Sequence, residues 1–280
     1  MQEVTTIRAL RAALAGAPRP VGLVPTMGAL HAGHLSLAER ARAECATVVM
    51  SIFVNPTQFG PHEDYARYPR PIEHDRELAR AAGVDVLFVP PVEEMYPPGA
   101  ASWVEVTGLS ARWEGEHRPG HFRGVATIVL KLFLAALPDR AYFGEKDYQQ
   151  LRVVERLAAD FLPGLVIVPC PTVREPDGLA RSSRNVYLTP EQREQATALY
   201  RALRHAQELL AAGERSAPAL EGAMRRVLLA VPGLRLDYAA VVDAATLEPL
   251  RVVDRPARAL VAARLGDVRL IDNLALQPPA

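Results

Sequence analysis

The sequence has 280 residues, enough for one large domain or two ordinary ones, and its 49% share of hydrophobic residues can bury a sizeable core. The 32 basic and 32 acidic residues balance to a formal net charge of zero, which argues against a general nucleic-acid-binding surface. The first residues lack the pattern of a signal peptide, and the longest apolar run, residues 127–137, is too short to span a bilayer. We therefore expect a cytoplasmic protein that binds neither nucleic acid nor membrane.

The two cysteines, Cys45 and Cys170, follow no metal-site spacing and form no disulfide framework. Cys45 lies between a helical and a strand-like segment, and Cys170 lies at the end of a strand-like segment. We expect both to be small, buried apolar residues.

Strand-like and helix-like segments alternate through the first part of the chain. The predicted strands are 21–24, 48–54, 84–89, 102–107, 140–143 and 165–168, and the predicted helices begin near 35 and span 72–82, 124–136 and 148–160. Apolar strands that alternate with helices favour a parallel sheet covered by helices, an α/β fold. Ligands of such sheets bind beyond the carboxyl ends of the strands, so the loops after strands are the places to look for chemistry.

After about residue 174 the pattern changes. A long helix is predicted over 190–212, with Thr189 as N-cap and Pro190 at the first helical position. A second helix is predicted over 216–229, and short strands near 234–242, 258–264 and 268–272. This pattern indicates a smaller α+β domain, so the chain is divided into domains 1–173 and 174–280.

The most informative segment is residues 21–34, in which an apolar strand enters a turn marked by Pro25, Gly28 and Gly33 before a helix begins. A helix start presents unpaired backbone N–H groups and the positive end of the helix dipole, which suit a phosphate. His31 and His34 are three residues apart and are expected on one face. The segment therefore favours catalysis at a phosphate, although histidines that merely cap a helix are the alternative.

Further polar loops follow the predicted strands or precede helices. The loop 55–60 offers the amides of Asn55 and Gln58, which can recognise hydroxyls and carboxylates, or is an ordinary polar loop. Residues 143–151 carry Lys146, one of two lysines in the chain, whose compact ammonium suits phosphate, or form a charged helix start. Asp75, at another helix start, is a weak candidate for a Mg²⁺ contact.

Two basic segments also have simpler explanations beside the functional ones. Residues 173–185 contain a turn signal at Pro176-Asp177-Gly178, followed by two serines and an arginine that can clamp pyrophosphate, or form a solvated linker. Residues 115–124 hold Arg118 and His121, which can meet an anion, or form a mobile surface loop.

Together these motifs resemble those of the pantoate–β-alanine ligase family, within the HxGH nucleotidylyltransferase superfamily. The resemblance rests on 25–34 (PTMGALHAGH), 55–60 (NPTQFG), 118–122 (RPGHF), 143–150 (FGEKDYQQ) and 177–185 (DGLARSSRN), in the family's order over essentially the whole chain. HxGH alone would indicate only the superfamily, whereas its combination with the two later motifs is highly specific.

The resemblance implies a two-step reaction on a Rossmann-like domain with a small carboxyl-terminal lid, in a homodimer. The carboxylate of (R)-pantoate attacks the α-phosphate of Mg-ATP, pyrophosphate leaves, and the amine of β-alanine then attacks the pantoyl-adenylate and releases AMP. The cofactors implied are ATP and Mg²⁺.

The resemblance also implies roles for single residues. His34 is the implied catalytic histidine, and His31 and Lys146 are the other implied catalytic residues. The implied ATP site consists of Met27, Gly28, Ala29, Leu30, His31, Ala32, Gly33, His34, Gly144, Glu145, Lys146, Asp147, Val173, Arg181, Ser182, Ser183 and Arg184. The implied substrate residues are Gln58, Gln150, Asn55, Arg118 and His121.

Two positions depart from the family pattern. Arg181 stands where relatives commonly have Leu or Met, which puts its contact with ATP in doubt, and His74 stands where relatives often carry an acid, which leaves the Mg²⁺ contact at Asp75 open.

Three other functions share some of these motifs. A nucleotidyltransferase that releases a dinucleotide-like product would share HxGH but form no AMP. An RNA-binding, synthetase-like protein would need a basic surface that the neutral composition does not indicate, and a nucleotide sensor would bind ATP without turnover.

Overall fold

The computed structural model describes residues 1–61 and 63–278, and its contacts divide the chain into two compact units. The first unit comprises Met1–Glu145 and Gln149–Pro171, and the second comprises Lys146–Tyr148 and Thr172–Ala280. The division into domains 1–173 and 174–280 stays a prediction. The contacts add one detail to it, because the short segment 146–148 groups with the second unit although it follows a strand of the first.

Parallel strands and helices alternate as far as Cys170. The elements are β1 (Gln2–Val4), α1 (Ile7–Leu14), β2 (Val21–Thr26), α2 (Ala32–Glu44), β3 (Thr47–Ile52), α3 (Ile72–Ala81), β4 (Val86–Phe88), α4 (Val92–Met95), α5 (Glu114–His117), α6 (His121–Ala136), β5 (Arg140–Gly144), α7 (Tyr148–Phe161) and β6 (Val166–Cys170). Within the described residues the six strands form one sheet in the order β1-β4-β3-β2-β5-β6, and every pair is parallel. The predicted α/β class, a Rossmann-like parallel sheet flanked by helices, is confirmed.

The order of the strands creates a switch point beside β2. Strand β3, which follows β2 in the chain, pairs with one edge of β2. Strand β5 pairs with the other edge of β2, with Leu23 opposite Ala141. A crevice opens at such a point beyond the carboxyl ends of the strands. The loop after β2 and the end of β5 therefore lie at the preferred ligand position of this fold.

The core of the first unit explains why these segments form buried strands. All six residues of β3 are buried, as expected for a parallel strand covered on both faces. Val24 and Met50 pack with Ala38 and Ala41 of α2 in one cluster. Cys45 and Cys170 also belong to it as free, buried residues, which confirms the expectation for both cysteines.

The second unit is α+β, as predicted. Its helices are α8 (Pro190–Gln195), α9 (Ala198–Ala211) and α10 (Ala217–Leu229), and its strands are β7 (Leu234–Asp243), β8 (Ala257–Leu265) and β9 (Val268–Leu276). The three strands form an antiparallel sheet in the order β7-β8-β9. Leu199, Leu203 and Leu210 of α9 and Leu220 of α10 pack in one hydrophobic cluster with residues of the sheet such as Val261.

Two secondary-structure predictions were wrong. Residues 102–107 form no strand, because within the described part of the chain no strand pairs with them, and the Val104 N–H instead donates to Thr127 Oγ1 of α6 at 2.9 Å. The helix predicted over 190–212 is two helices, since the chain turns at Ala196 and Thr197. The sequence pattern also failed to indicate β1 and α1.

Among the residues that the structure describes, no helix is both long enough and apolar enough to cross a bilayer.

Candidate active site

The loop between β2 and α2 takes a conformation that glycine favours. Gly28 has a φ of 81°, and a Cβ there would lie 2.9 Å from both Asp75 Oδ2 and Ile52 Cγ2. Ala29 also has a positive φ, 50°, which is uncommon for a residue with a side chain. Strained backbone of this kind persists where its surroundings hold it in place, often at functional sites.

Asp75 of α3 holds the backbone of this loop in its strained conformation. Its Oδ2 accepts from the Ala29 N–H at 2.8 Å and its Oδ1 from the Leu30 N–H at 2.7 Å, and the residue is only 1% exposed. A carboxylate that accepts two backbone N–H groups makes strong, charge-assisted bonds. The position predicted as a weak Mg²⁺ contact therefore acts in this structure as a brace for the residues that lead into HxGH.

The two histidines of the motif lie side by side. His31 is the N-cap of α2, and its Nδ1 accepts from the Gly33 N–H at 3.1 Å. A neutral His31 ring therefore carries its proton on Nε2. The ring centroids of His31 and His34 are 4.1 Å apart, which confirms that the spacing brings both imidazoles together. His31 both caps the helix and lies next to His34, so the two sequence interpretations are compatible.

Asn55 uses its side chain within the protein. Its Nδ2 donates to Gln58 Oε1 at 3.0 Å and to the Gly124 carbonyl at 3.2 Å, and its Oδ1 accepts from the hydroxyls of Thr57 and Tyr96, both at 2.9 Å. These bonds occupy the amide almost fully. Asn55 is therefore arranged to orient Gln58, and its contact with substrate stays a prediction.

Gln58 has bonding capacity left for a ligand. Its Oε1 is held by Asn55, while its Nε2 faces the sulfur of Met27 at 3.1 Å, and a thioether is a weak acceptor. A carboxylate or hydroxyl oxygen would be a stronger partner for the same N–H groups. Gln58 and Met27 thus bring the loop after β3 next to the loop after β2.

Arg118 and His121 support the Gln58 backbone. Arg118 binds both carboxylate oxygens of Glu63, each at 2.7 Å, and its Nη1 donates to His121 Nε2 at 3.1 Å. Because a guanidinium only donates, His121 Nε2 accepts, and its Nδ1–H donates to the Gln58 carbonyl at 2.8 Å. Burial, with the Arg118 charge, lowers the pKa of His121 to about 4, so the ring is neutral at pH 7.

The Arg118 pair also affects the pKa of its acidic partner. The hydrogen bonds and charge of Arg118 hold the pKa of Glu63 below its ordinary value although burial opposes this. Arg118 and His121 are therefore engaged with protein groups, and sequence analysis missed Glu63 because nothing in its local pattern points to a partner 55 residues away.

The segment after β5 carries two glutamines with different surroundings. Gln149 is buried, its Nε2 donates to the carbonyls of Leu109 and Arg112, and its Oε1 accepts from the Glu114 N–H. Gln150, the predicted substrate residue, is partly exposed. Sequence analysis missed the structural role of Gln149, whose hydrogen bonds hold the irregular segment before α5 in place.

In the second unit, Lys146 and Asp147 form a turn before α7. The Lys146 ammonium lies 3.7 Å from Asp147 Oδ1, and its side chain is 20% exposed. The Lys146 carbonyl accepts from Asn273 Nδ2 of β9 at 2.9 Å. Gly144 and Glu145, the other predicted ATP contacts of this segment, end β5 and begin the turn.

The segment 173–185 folds as a hairpin followed by a 3-10 turn. Arg174 bridges Ala180, and the Arg181 N–H donates to the Val173 carbonyl at 2.9 Å. Ser182 caps the turn Ser183–Tyr187 by accepting from the Arg184 N–H at 3.3 Å. Arg181 pairs with Glu175 at 2.9 Å, which gives that unusual arginine a protein partner.

The family model described as Pantoate-beta-alanine ligase matches residues 1–275. The chain belongs to the pantoate–β-alanine ligase family. A pantothenate synthetase from Rubrobacter xylanophilus is 60% identical over 264 residues, 91% of each chain, and one from Thermus thermophilus is 57% identical over 280 residues, 99% of this chain and 100% of the relative.

Solved structures of the family agree with the fold. The crystal structure of pantothenate synthetase from Thermus thermophilus has a TM-score of 0.96, 56% identity, and coverage of 99% of this chain and 100% of that one. The pantoate–β-alanine ligase from Francisella tularensis, complexed with β-γ ATP and β-alanine, has a TM-score of 0.82, 36% identity, and coverage of 98% and 97%. The predicted ligase class is confirmed at the level of this family.

Proposed function

We propose that this chain condenses (R)-pantoate with β-alanine, using ATP, to give pantothenate, AMP and pyrophosphate through a pantoyl-adenylate. In the first step a pantoate carboxylate oxygen attacks the α-phosphorus, and the bond to pyrophosphate breaks. In the second step the β-alanine amine attacks the acyl carbon, the bond to AMP breaks, and the amine loses a proton. ATP and β-alanine are named in the bound complex of the Francisella relative, which supports both as substrates here.

The observation that carries the proposal is the braced loop after β2. Gly28 to His34 lie at the switch point of a parallel sheet, with two adjacent imidazoles and the start of α2. Imidazole donors held at such a place can stabilise charge that develops on a phosphate. The proposed catalytic residues are His34, His31 and Lys146, and the proposed ATP contacts are the residues given for them above.

The remaining substrate residues are proposed in two roles. Gln58 and Gln150 contact pantoate directly. Asn55, Arg118 and His121 act through Gln58, because their own polar atoms bind Gln58, Glu63, one another and nearby backbone. This division refines the expectation that all five touch substrate.

Magnesium is proposed to arrive with the nucleotide as Mg-ATP. Among the residues that the structure describes, no group of three or more His, Cys, Asp or Glu side chains could hold a metal ion. The Asp75 oxygens already accept two backbone N–H groups, which does not fit a protein-held ion. Mg²⁺ commonly keeps waters and binds through substrate phosphates rather than in a protein cage.

Two properties of the molecule in solution are also proposed. The protein is a homodimer, as the family resemblance implies, and it lies in the cytoplasm, as the sequence predicts. Sedimentation velocity at micromolar concentration is expected to give twice the mass of the chain, and a sedimenting monomer would exclude the dimer.

The assay that tests the activity uses purified protein with Mg-ATP and (R)-pantoate, with and without β-alanine. AMP and pantothenate should form together only with all three substrates, and pantoate alone should support exchange of pyrophosphate into ATP. A stable adenylylated product without AMP would instead identify a nucleotidyltransferase, and ATP binding without turnover would identify a sensor.

His34→Ala is the variant that tests the proposed catalytic histidine. We expect turnover to fall about 10²- to 10³-fold, as on loss of one preorganised donor, while circular dichroism and melting temperature stay close to those of the unaltered protein. His117→Ala, at an exposed histidine, is the matched control. Near-normal turnover in folded His34→Ala protein would remove His34 from the mechanism.

A further inference from the structure

Two predicted phosphate-binding segments of the second unit contact adjacent residues of one strand. The Lys146 carbonyl accepts from Asn273 of β9, and the hairpin that begins the 173–185 segment contacts Asp272. Asp272 and Asn273 are 4% and 3% exposed, unusually buried for an acid and an amide. Buried polar side chains are normally hydrogen-bonded, so the partners of Asp272 and Asn273 explain why both are buried.

Asn273 has its orientation fixed by its partners. Its Oδ1 accepts from Arg258 Nε at 2.6 Å, and its Nδ2 donates to the Lys146 carbonyl at 2.9 Å. Since a guanidinium only donates and a carbonyl only accepts, the amide can satisfy both in one orientation. Arg258 also lies over the ring of Tyr148, 4.1 Å from its centroid, and Tyr148 Oη donates to the Ala244 carbonyl at 2.8 Å.

Asp272 holds the hairpin from the same strand. Arg174 donates from Nη1 and Nη2 to the two Asp272 oxygens at 2.6 and 2.8 Å, and it also donates to the Gly178 carbonyl and the Asn273 carbonyl. The Arg174 guanidinium lies 4.3 Å from the centroid of the Tyr200 ring. The side chains of Arg174 and Asp272 are both mostly buried, and the guanidinium also stacks on Tyr200. Such an arginine stabilises the hairpin and also fixes its geometry.

We propose that Asn273 is a positioning residue that holds Lys146 for the phosphates, and that Asp272 and Asn273 together make the Lys146 segment and the 173–185 segment one rigid group. This inference rests on the proposed role of Lys146. Successive side chains of a strand point to opposite faces, so one rigid strand can hold a different segment on each face. The group explains why residues 146–148 belong to the second unit.

The experiment is a double-mutant cycle on pantothenate formation with Asn273→Ala, Lys146→Ala and the combination. We expect Asn273→Ala to lower kcat about 10-fold or more, with the KM values for pantoate and β-alanine changed less than about twofold. In the Lys146→Ala background the same substitution should cost nothing further, because Asn273 acts through Lys146. Additive losses would overturn the proposal.

Asp237→Asn is the matched control. Asp237 of β7 pairs with Arg269 of the same sheet at 2.7 Å and is partly buried. The Asp237→Asn variant should lower the melting temperature as much as Asn273→Ala does, while kcat stays unchanged. Should Asn273→Ala not fold, Asn273→Asp keeps the acceptor for Arg258, loses the donor to Lys146, and enters the same cycle.

Hydrogen exchange separates this inference from the proposed function. Amides of residues 146–150 should exchange at least about 10-fold faster in Asn273→Ala than in Asp237→Asn protein, whatever the activity. If the unaltered protein forms no pantothenate, the proposed function fails, and unchanged exchange at 146–150 would overturn the positioning role separately.

Discussion

At the scale of the residue, hydrogen-bonding capacity separates side chains that can meet a substrate from those that position them. Asn55 and Asp75 are nearly fully engaged with protein groups, whereas the N–H groups of Gln58 face the weakly accepting sulfur of Met27. His121 is neutral with a defined tautomer because Arg118 and a carbonyl take its two nitrogens. Polar residues around the proposed site therefore differ in role although they are similar in type.

The brace on the HxGH loop gives a first prediction. Asp75→Asn should lower stability by about 1–3 kcal/mol and turnover at least about 10-fold, because one of two backbone N–H groups then faces an amide donor. The Mg²⁺ concentration for half-maximal activity should not change. Urea unfolding and steady-state kinetics measure both effects.

Asp139→Asn is the control for that prediction. Asp139 accepts from the Val21 N–H at 2.6 Å, at the amino end of β2, away from the loop. The Asp139→Asn variant should lower the free energy of unfolding without lowering kcat. A large shift in Mg²⁺ dependence with Asp75→Asn would instead favour the metal contact.

The pH dependence of stability follows from His121. Its pKa is about 4 in the folded chain against 6.5 for the ordinary side chain, so between these values the unfolded chain binds more protons and stability falls as pH falls. The full loss, reached below pH 4, is about 3 kcal/mol from this residue.

The measurement is the free energy of unfolding in urea from about pH 7 to about pH 4. His121→Asn, whose amide can still donate to the Gln58 carbonyl, should fall less steeply with acid than the unaltered protein. His117→Asn, at an exposed position, should keep the original slope. Equal slopes for His121→Asn and the unaltered protein would contradict the neutral, buried histidine.

At the scale of the element, the first turn of α6 and the loop after β3 fit without spare space. A Cβ at Gly124 would lie 2.4 Å from the Thr57 carbonyl oxygen and 2.7 Å from the Gln58 nitrogen, both backbone atoms. The missing side chain lets the helix support the loop that carries Gln58. The same close approach explains how Asn55 reaches the Gly124 carbonyl.

Gly124→Ala tests this contact. It should destabilise the protein by about 1–3 kcal/mol through overpacking and lower kcat/KM for pantoate about 10-fold, since the loop must shift. Gly222→Ala in α10 is the matched control, because its Cβ would meet the flexible end of Arg226 at an ordinary distance, 3.6 Å from Nη1. It should be neutral or stabilising by up to about 1 kcal/mol. Unfolding curves measure the change in stability, and pantoate kinetics measure the change in kcat/KM. A Gly124→Ala protein as stable and active as the Gly222→Ala protein would refute the close fit.

At the scale of the whole molecule, the balance of 32 basic and 32 acidic residues leaves no net charge to keep copies apart at neutral pH. Many charges instead lie in ion pairs, as between Arg156 and Asp160 or Arg193 and Asp177. Such exposed pairs contribute little to stability, so charge affects solubility more than folding.

Solubility is therefore predicted to be lowest near pH 7. Precipitation by polyethylene glycol across about pH 5 to 9 measures it. The variant Arg8→Glu/Arg226→Glu changes two exposed residues from +1 to −1 each, moves the formal charge from 0 to −4, and should shift the minimum to lower pH. A minimum that stays in place would show that charge does not govern association.

The sequence by itself determined the strand, loop and helix around HxGH and most of the other elements, because hydrophobic periodicity, caps and turn residues are local signals. It also indicated the family, because its motifs resemble those of known pantoate–β-alanine ligases. Only the tertiary structure decided which polar residues brace and which remain open to a ligand. The Asn55 bond to Gly124 joins residues 69 apart, and the Lys146 bond to Asn273 joins residues 127 apart. Such partners follow from the packing of distant segments, and no local pattern carries them. The strand expected at 102–107 failed for the same reason, since a strand needs a neighbour that only the folded chain can supply.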